Sequence, residues 1–179
     1  MSVRTNKVEF KEAFRSTELD PEFAREVREH PGGEKLFLCY QCGACAGSCP
    51  VGKLTDSYKP RQILRMVSLG FKKDVLSNDS IWLCASCYTC QERCPQGVEI
   101  ADIMLALRNI AAREGFVPKA FVDQALLLME NGRLIGMSNS IQQQRSKLGL
   151  PNVPPTSKEV VKKIVAITGF DKLVEKLRG

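Results

Sequence analysis

The sequence predicts an all-α fold, and three observations lead to this class. Apolar residues recur every three to four positions in several segments, which is the spacing of one helix face. Most of these segments begin at proline or a capping residue and end at glycine. No run of alternating polar and apolar residues bounded by hairpin turns occurs, so strands are not expected.

The first predicted helix lies close to the amino terminus. Asp20 is a favourable N-cap, and Pro21 suits the first position of a helix. The sequence His-Pro-Gly-Gly at residues 30–33 ends the segment. We therefore expect a helix over residues 21–29.

A second helix is predicted to begin at Pro60 and to end at Gly70, with Ile63, Leu64 and Val67 on one face. A third ends at Gly115 and carries a longer apolar stripe at i, i+3, i+4, i+7 and i+11. The stripe consists of Ile100, Ile103, Met104, Leu107 and Ala111. These two segments are the strongest amphipathic signals of the middle of the chain.

The last third of the chain is also predicted to be helical. Pro118 begins a helix that ends at Gly132. Residues 133–157 contain three prolines and are expected to be extended, with one helical turn near 141–147.

The carboxyl-terminal residues add two more predicted helices. Ser157 caps a helix over 159–168. A short final helix follows Gly169.

The formal net charge of +6 does not indicate a nucleic-acid partner. Lysines and arginines are scattered and usually stand beside acidic residues, as in Lys72-Lys73-Asp74, which is typical of a solvated surface. The polar amino terminus lacks the apolar core of a secretory signal. No apolar run approaches the roughly 20 residues of a membrane span. We expect a cytoplasmic location without membrane or nucleic-acid binding.

The eight cysteines form two groups related by a shift of 45 residues. The following proline and a nearby glycine obey the same shift, so Pro50 corresponds to Pro95 and Gly52 to Gly97. This pattern indicates an internal duplication. The corresponding cysteine pairs are Cys39 and Cys84, Cys42 and Cys87, Cys45 and Cys90, and Cys49 and Cys94.

Each group reads C-x2-C-x2-C-x3-C-P, the motif of two-cluster ferredoxins, in which the fourth cysteine ligates the other [4Fe–4S] cluster. Zinc sites usually use two separated C-x2-C pairs and fit poorly, and disulfides are rare in a reducing cytoplasm. Two [4Fe–4S] clusters are therefore expected. Applied to this sequence, the motif predicts the following ligand sets: Cys39, Cys42, Cys45 and Cys94 for the first cluster, and Cys84, Cys87, Cys90 and Cys49 for the second.

Residues 50–83, between the two cysteine groups, carry helix signals rather than the strands of small bacterial ferredoxins. This favours a helical ferredoxin-like domain. Tyr40, Trp82 and Tyr88 either shield the clusters from water or are ordinary core residues, and the sequence leaves both interpretations open.

Over nearly its whole length the chain resembles the iron–sulfur subunit designated C, hereafter the C-type subunit, of the heterodisulfide reductases of methanogenic archaea and their relatives. The segments that carry the resemblance are Asp20-Pro21-Glu22-Phe23, Cys39-Tyr40-Gln41-Cys42-Gly43, Gly47-Ser48-Cys49-Pro50, residues 82–95 and Gly115-Phe116. The resemblance implies an electron relay from the flavin-containing A-type subunit to the B-type subunit, which reduces the mixed disulfide of coenzymes M and B. It also implies a larger complex with a hydrogenase or formate dehydrogenase.

The same resemblance implies a division of labour. The B-type subunit of these reductases binds its active-site clusters through adjacent cysteines, and no Cys-Cys pair occurs here. No catalytic residues are therefore expected in this chain. Predicted regions are an amino-terminal helical extension at 1–35, the helical ferredoxin-like domain at 36–116 and a helical docking extension at 117–179.

Two alternatives remain. An iron–sulfur subunit of a succinate, fumarate or glycolate dehydrogenase would use the same motif, although succinate-type subunits usually add a C-x4-C-x2-C domain, and the first 38 residues here hold no cysteine. A free ferredoxin-like carrier would need less than the 85 residues that follow Cys94.

Overall fold

The computed structural model describes residues 18–151, 153–154 and 156–178. The described residues contain eleven α-helices and no strand, which confirms the all-α prediction. Two short 3-10 helices, Leu36–Leu38 and Asp79–Leu83, precede the cysteine groups. The α-helices are α1 (Phe23–Glu29), α2 (Ala44–Ser48), α3 (Pro50–Leu54), α4 (Pro60–Ser68), α5 (Lys72–Leu76), α6 (Thr89–Glu92), α7 (Ile100–Glu114), α8 (Lys119–Asn131), α9 (Asn139–Lys147), α10 (Lys158–Thr168) and α11 (Phe170–Arg178).

Helix α1 begins two residues later than its capping signal predicts. The Asp20 carboxylate accepts a hydrogen bond from the Glu22 amide at 3.0 Å, and the Asp20 carbonyl accepts one from Phe23 at 3.2 Å. Asp20 thus closes a turn ahead of the helix. Its own amide donates to the carbonyl oxygen of Gly70 at 2.8 Å, which joins the start of α1 to the end of α4.

Gly70 is required at the end of α4 for two reasons. Its φ of +85° lies in the left-handed region that favours glycine. A Cβ atom added there would also lie 2.5 Å from the carbonyl oxygen of Asp20. The glycine that the sequence identifies as a helix stop therefore also permits close contact between α1 and α4.

The described residues up to Phe116 form one compact unit whose core surrounds α7. This helix buries a broad face and packs against α1, α5, α6 and the second 3-10 helix. Burying each large apolar side chain contributes about 1.5–3 kcal/mol. The fully buried side chains include Phe23 and Val27 of α1, Leu64 and Val67 of α4, Leu76 of α5, Ile81, and Ile103 and Leu107 of α7.

An ion-pair network joins three helices of this unit. The Lys72 ammonium lies 2.9 Å from Glu26 of α1 and 2.7 Å from Glu114 of α7. The hydrogen bonds to Glu114 and Glu26 raise the pKa of Lys72 above its usual range, so the side chain keeps its charge.

Residues from Val117 onward form a second compact unit. Helices α8, α10 and α11 pack against each other and bury Val165 and Val174. The turn predicted near 141–147 is a nine-residue helix, α9, capped by Ser138, whose hydroxyl accepts from Ile141. No helix within the described ranges is long and apolar enough to cross a membrane.

Candidate iron–sulfur sites

The duplication seen in the sequence extends to the backbone of the two cysteine loops. Each loop follows a 3-10 helix and leads into a short α-helix, α2 or α6, with equivalent starting positions. Gln41 and Ser86 occupy equivalent positions and both have positive φ, 65° and 49°. A left-handed backbone costs about 1–2 kcal/mol per non-glycine residue. Repetition of this costly conformation indicates that both loops are shaped for the same task.

At one equivalent position the two loops differ in residue type but share a left-handed backbone conformation. Gly43 has φ +89°, and Tyr88 in the second loop has φ +60°. The Tyr88 hydroxyl donates to Asp102 of α7 at 3.2 Å, and the Gln91 side-chain amide donates to the same carboxylate at 3.2 Å. Asp102 thereby anchors the second loop to α7 at Tyr88, a non-glycine residue with positive φ.

The short helices α2 and α6 pack against each other and bring the two loops together. They place Cys45 and Cys90 in the interior, each under one-tenth exposed, together with Cys49. Cys42 and Cys87 lie at the surface, and the other three cysteines are intermediate. Each loop thus runs from the protein interior to its surface.

Two small cavities lie beside this helix pair. Cys39, Cys42, Cys45 and Cys94 line the first cavity. Cys84, Cys87, Cys90 and Cys49 line the second. Each cavity therefore receives three cysteines from one loop and a fourth from the other.

The residues at these cavities fit [4Fe–4S] clusters in their chemistry. Four cysteine sulfurs are the donor set that such a cluster requires. Among the residues that the structure describes, no three potential ligands converge closely enough to hold a single metal ion. The eight cysteines are instead divided four and four between the two cavities.

Comparison with known proteins agrees with this chemistry. A family model described as a 4Fe-4S dicluster domain matches residues 35–98. The chain is 40% identical to the C-type iron-sulfur subunit of the CoB–CoM heterodisulfide reductase of Methanopyrus kandleri, with 90% of each chain covered. It is 37% identical to the C-type subunit of the H2:CoB–CoM heterodisulfide,ferredoxin reductase of Methanothermobacter thermautotrophicus, over 90% of this chain and 89% of the relative. One of the C-type iron-sulfur subunits of Methanocaldococcus jannaschii, numbered 2, is 44% identical over 79% and 78% of the two chains.

The chain belongs to the family of C-type iron–sulfur subunits of heterodisulfide reductase. It is an iron–sulfur protein that carries two [4Fe–4S] clusters in its dicluster domain. The resemblance stated from the sequence motifs is confirmed.

Backbone and side-chain groups of this C-type chain donate hydrogen bonds to the cysteine sulfurs. The Gly52 amide donates to Cys49 Sγ at 3.3 Å, and the Val98 amide donates to Cys94 Sγ at 3.3 Å. The Gln41 side-chain amide donates to Cys39 Sγ at 3.4 Å. Such donors stabilise negative charge on the sulfur and are one of the means by which a protein sets a cluster potential.

Burial changes the acidity of the innermost thiols of the dicluster domain. It raises the pKa of Cys45 and of Cys90 to about 11 in each case. At the surface, hydrogen bonds with Thr89 lower the pKa of Cys87. Because clusters bind thiolates, Cys45 and Cys90 would hold a cluster in their deprotonated form.

The aromatic residues singled out in the sequence have different positions. Tyr40 lines the first cavity and Tyr88 the second, and they are 58% and 43% exposed, so both lie at the rim. Trp82 packs against the core, and the Arg108 guanidinium lies 5.8 Å from its ring. Rim positions agree with partial shielding by the two tyrosines, whereas Trp82 is part-buried and packs against the core.

Three residues at or beside the sites were not identified from the sequence. Arg61 of α4 lines the first cavity. Tyr58 lines the second cavity and is only 1% exposed. Arg108 hydrogen-bonds to the Cys84 carbonyl. Of these three, only Arg108 could have been noticed in the sequence. The 45-residue shift aligns this charged residue with the apolar Ile63, so it departs from the repeat.

Proposed function

We propose that this chain is the electron-relay subunit of a cytoplasmic heterodisulfide reductase complex. In this proposal it receives electrons from the flavin-containing A-type subunit. It passes them to the B-type subunit, where the mixed disulfide of coenzymes M and B is reduced, and it contributes no catalytic residue itself. Its relatives include a reductase named for H2, ferredoxin and the CoB–CoM heterodisulfide, in agreement with a complex that contains a hydrogenase or formate dehydrogenase.

The observation that carries the proposal is the pair of cavities beside α2 and α6, each lined by three cysteines of one loop and one of the other. We infer that Cys39, Cys42, Cys45 and Cys94 hold the first cluster, and that Cys84, Cys87, Cys90 and Cys49 hold the second. Each cluster, when bound, supplies a centre that accepts and donates one electron. The exchanged fourth ligands keep the two centres close, as a relay requires.

The side chains around the cavities support conduction rather than bond chemistry. Within the described residues, the cavity linings consist of cysteines, small residues, aromatic rings, two glutamines, an arginine and aliphatic side chains. Cys42 and Cys87 are exposed at the surface, which shortens the electron-transfer distance to a docked partner.

An anaerobic affinity purification of the tagged full-length chain from its own cells tests the proposed partners. We expect copurification of a flavoprotein and of a second protein with paired-cysteine segments. Recovery of a succinate-type or glycolate-type flavoprotein instead would contradict the proposal and support the dehydrogenase alternative.

A reconstitution from purified components tests the relay itself. Electron delivery from the reduced flavin of the A-type subunit to the B-type subunit should require the present chain. The chain alone should reduce no heterodisulfide. Turnover by the isolated chain, or full electron delivery in its absence, would show that it is not a relay.

A further inference from the structure

The first 3-10 helix leaves two of its three apolar side chains at the surface. Such a helix has three residues per turn, so successive side chains point about 120° apart and only one of them can face the core. Leu36 takes that position and is 1% exposed. Phe37 and Leu38 are 56% and 50% exposed, and Tyr40, two residues further on, is exposed as well. We call Phe37, Leu38 and Tyr40 the first-loop surface.

The duplicated segment ahead of the second loop buries the corresponding side chains. The 45-residue shift aligns Phe37 with Trp82, and Leu38 with Leu83. Trp82 and Leu83 are part-buried and pack against the core. Within the described residues, Phe37 and Leu38 are not among the side chains that do so. The cysteine motif therefore does not require this exposure, because the second loop forms without it.

Two guanidinium groups flank the first-loop surface. The Arg28 guanidinium of α1 lies 5.6 Å from the centre of the Phe37 ring. Arg61 of α4 lines the first cavity together with Tyr40, and no Asp, Glu or Lys occurs among the described residues of that lining. Both arginines are exposed, and none of the ion pairs within the described ranges uses either of them. The surface thus has an apolar centre and a positively charged edge.

The first-loop surface is continuous with the opening of the first cavity. Tyr40 belongs to both, and Cys42, which lines the same cavity, is exposed. A protein seated on Phe37 and Leu38 would lie at the side of the cavity where this cysteine reaches solvent. Contiguous exposed apolar groups with a polar edge are typical of protein interaction sites.

We propose that the first-loop surface docks a redox subunit of the proposed complex whose own contact face has an apolar centre and an acidic rim. Aromatic and arginine side chains are enriched among the residues that carry the binding energy of interfaces. Opposite charges at the rim orient the partner and speed its approach. The inference rests on the proposed relay function, since it takes a cluster in the first cavity as the centre that exchanges electrons with this partner.

Anaerobic binding measurements with purified A-type and B-type subunits test the inference on the cluster-containing full-length chain. The double variant Phe37→Glu/Leu38→Glu should bind one of the two subunits at least about tenfold more weakly, because it removes the apolar centre and places carboxylates against an acidic rim. Leu69→Glu is the matched control, since Leu69 is 49% exposed and lies at the far end of α4 from Arg61. It should bind both subunits normally. Normal binding by the double variant would overturn the inference.

The charged edge is tested by Arg61→Glu and by salt. Binding of the unaltered chain should weaken as ionic strength rises. Arg61→Glu should lower the affinity by about two- to fivefold and make it less dependent on salt. Lys73→Glu, at an exposed position of α5, changes the net charge equally and should leave the salt dependence intact. The same salt dependence in both variants would overturn the acidic rim.

A photo-cross-linker at position 37 identifies the occupant directly. Replacement of Phe37 by p-benzoylphenylalanine keeps an aromatic ring at the surface. Irradiation of the assembled complex should join this chain to one redox subunit, at a peptide that contains Asp or Glu. Cross-links confined to residues 1–17 of the same chain, or to a second copy of it, would overturn the inference. A partner peptide without acidic residues would overturn it as well.

Failure of the proposed function gives a different result. If the unaltered chain binds neither purified subunit, the relay proposal fails and the docking inference fails with it. If the unaltered chain binds and all of its surface variants bind equally well, only the docking inference fails.

Discussion

Arg108 and Cys84 are joined by a hydrogen bond in which Arg108 Nη2 donates to the Cys84 carbonyl oxygen at 2.5 Å. Arg108 Nε also donates to the Ile81 carbonyl at 2.9 Å, so one side chain of α7 holds the entrance of the second cysteine loop. The first loop is held differently, by an ion pair between Lys35, just before it, and Glu99, with 2.5 Å between Nζ and Oε1. The two halves of the duplication therefore differ in how their loops are fixed.

Replacement of Arg108 should loosen the second loop. Arg108→Gln removes two hydrogen bonds from a part-buried charged donor, and we expect a loss of about 2–3 kcal/mol in the free energy of unfolding. Anaerobic chemical denaturation of the cluster-containing chain measures this change. Arg65→Gln, at an exposed position of α4, should change stability by less than about 0.5 kcal/mol. Equal stability of the two variants would contradict the anchoring role.

Exchange of the fourth ligands predicts which cysteine variants resemble each other. Cys94→Ser should alter the same cluster signal as Cys42→Ser, although Cys94 belongs to the second sequence group. Cys49→Ser should likewise resemble Cys87→Ser. Electron paramagnetic resonance and iron analysis measure these effects, starting from about eight irons per chain. If Cys94→Ser matched Cys87→Ser instead, the ligands would not be exchanged.

The long helices could be predicted from the sequence because their signals are local. Helix α7 shows a complete apolar stripe and ends at Gly115, whose φ is +93°. The cysteine spacing predicted two sets of four, and the same sets line the two cavities. Which sulfurs bind iron stays a prediction.

The remaining features depend on contacts between distant segments. Helices α2 and α6 are five and four residues long, too short for a periodic signal, and they are stabilised by packing against each other. Tyr58 lies 26 residues before Cys84 in a segment without any motif, so its place at the second cavity follows only from the fold. Local sequence patterns carry no information about such contacts between distant segments.

The Lys72 network should stabilise the first unit as a whole. Its ammonium bridges Glu26 and Glu114, and the Lys72 side chain is 24% exposed, so solvent screens the pairs only in part. Lys72→Met should lower the free energy of unfolding by about 1 kcal/mol. The adjacent exposed Lys73 offers a matched control, and Lys73→Met should have little effect. The idea fails if both variants unfold at the same denaturant concentration.

Helix α10 presents an apolar stripe that we expect to dock against a partner protein. Val160, Ile164 and Ile167 recur at helical spacing and are 54%, 55% and 86% exposed. Exposed stripes of this kind are typical of helix-mediated interfaces. The predicted docking role of residues 117–179 therefore has a specific surface that mutation can test.

The double variant Ile164→Lys/Ile167→Lys should retain about eight irons per chain, because every cysteine lies before residue 95. Its helix content should also be unchanged, since both side chains are exposed. Copurification of partner proteins should fall at least tenfold, because two charges would be buried in an apolar interface. Ala166→Lys adds a charge at an exposed position of α10 off the stripe and should leave copurification intact. Normal recovery of partners with the double variant would show that the stripe is not the docking surface.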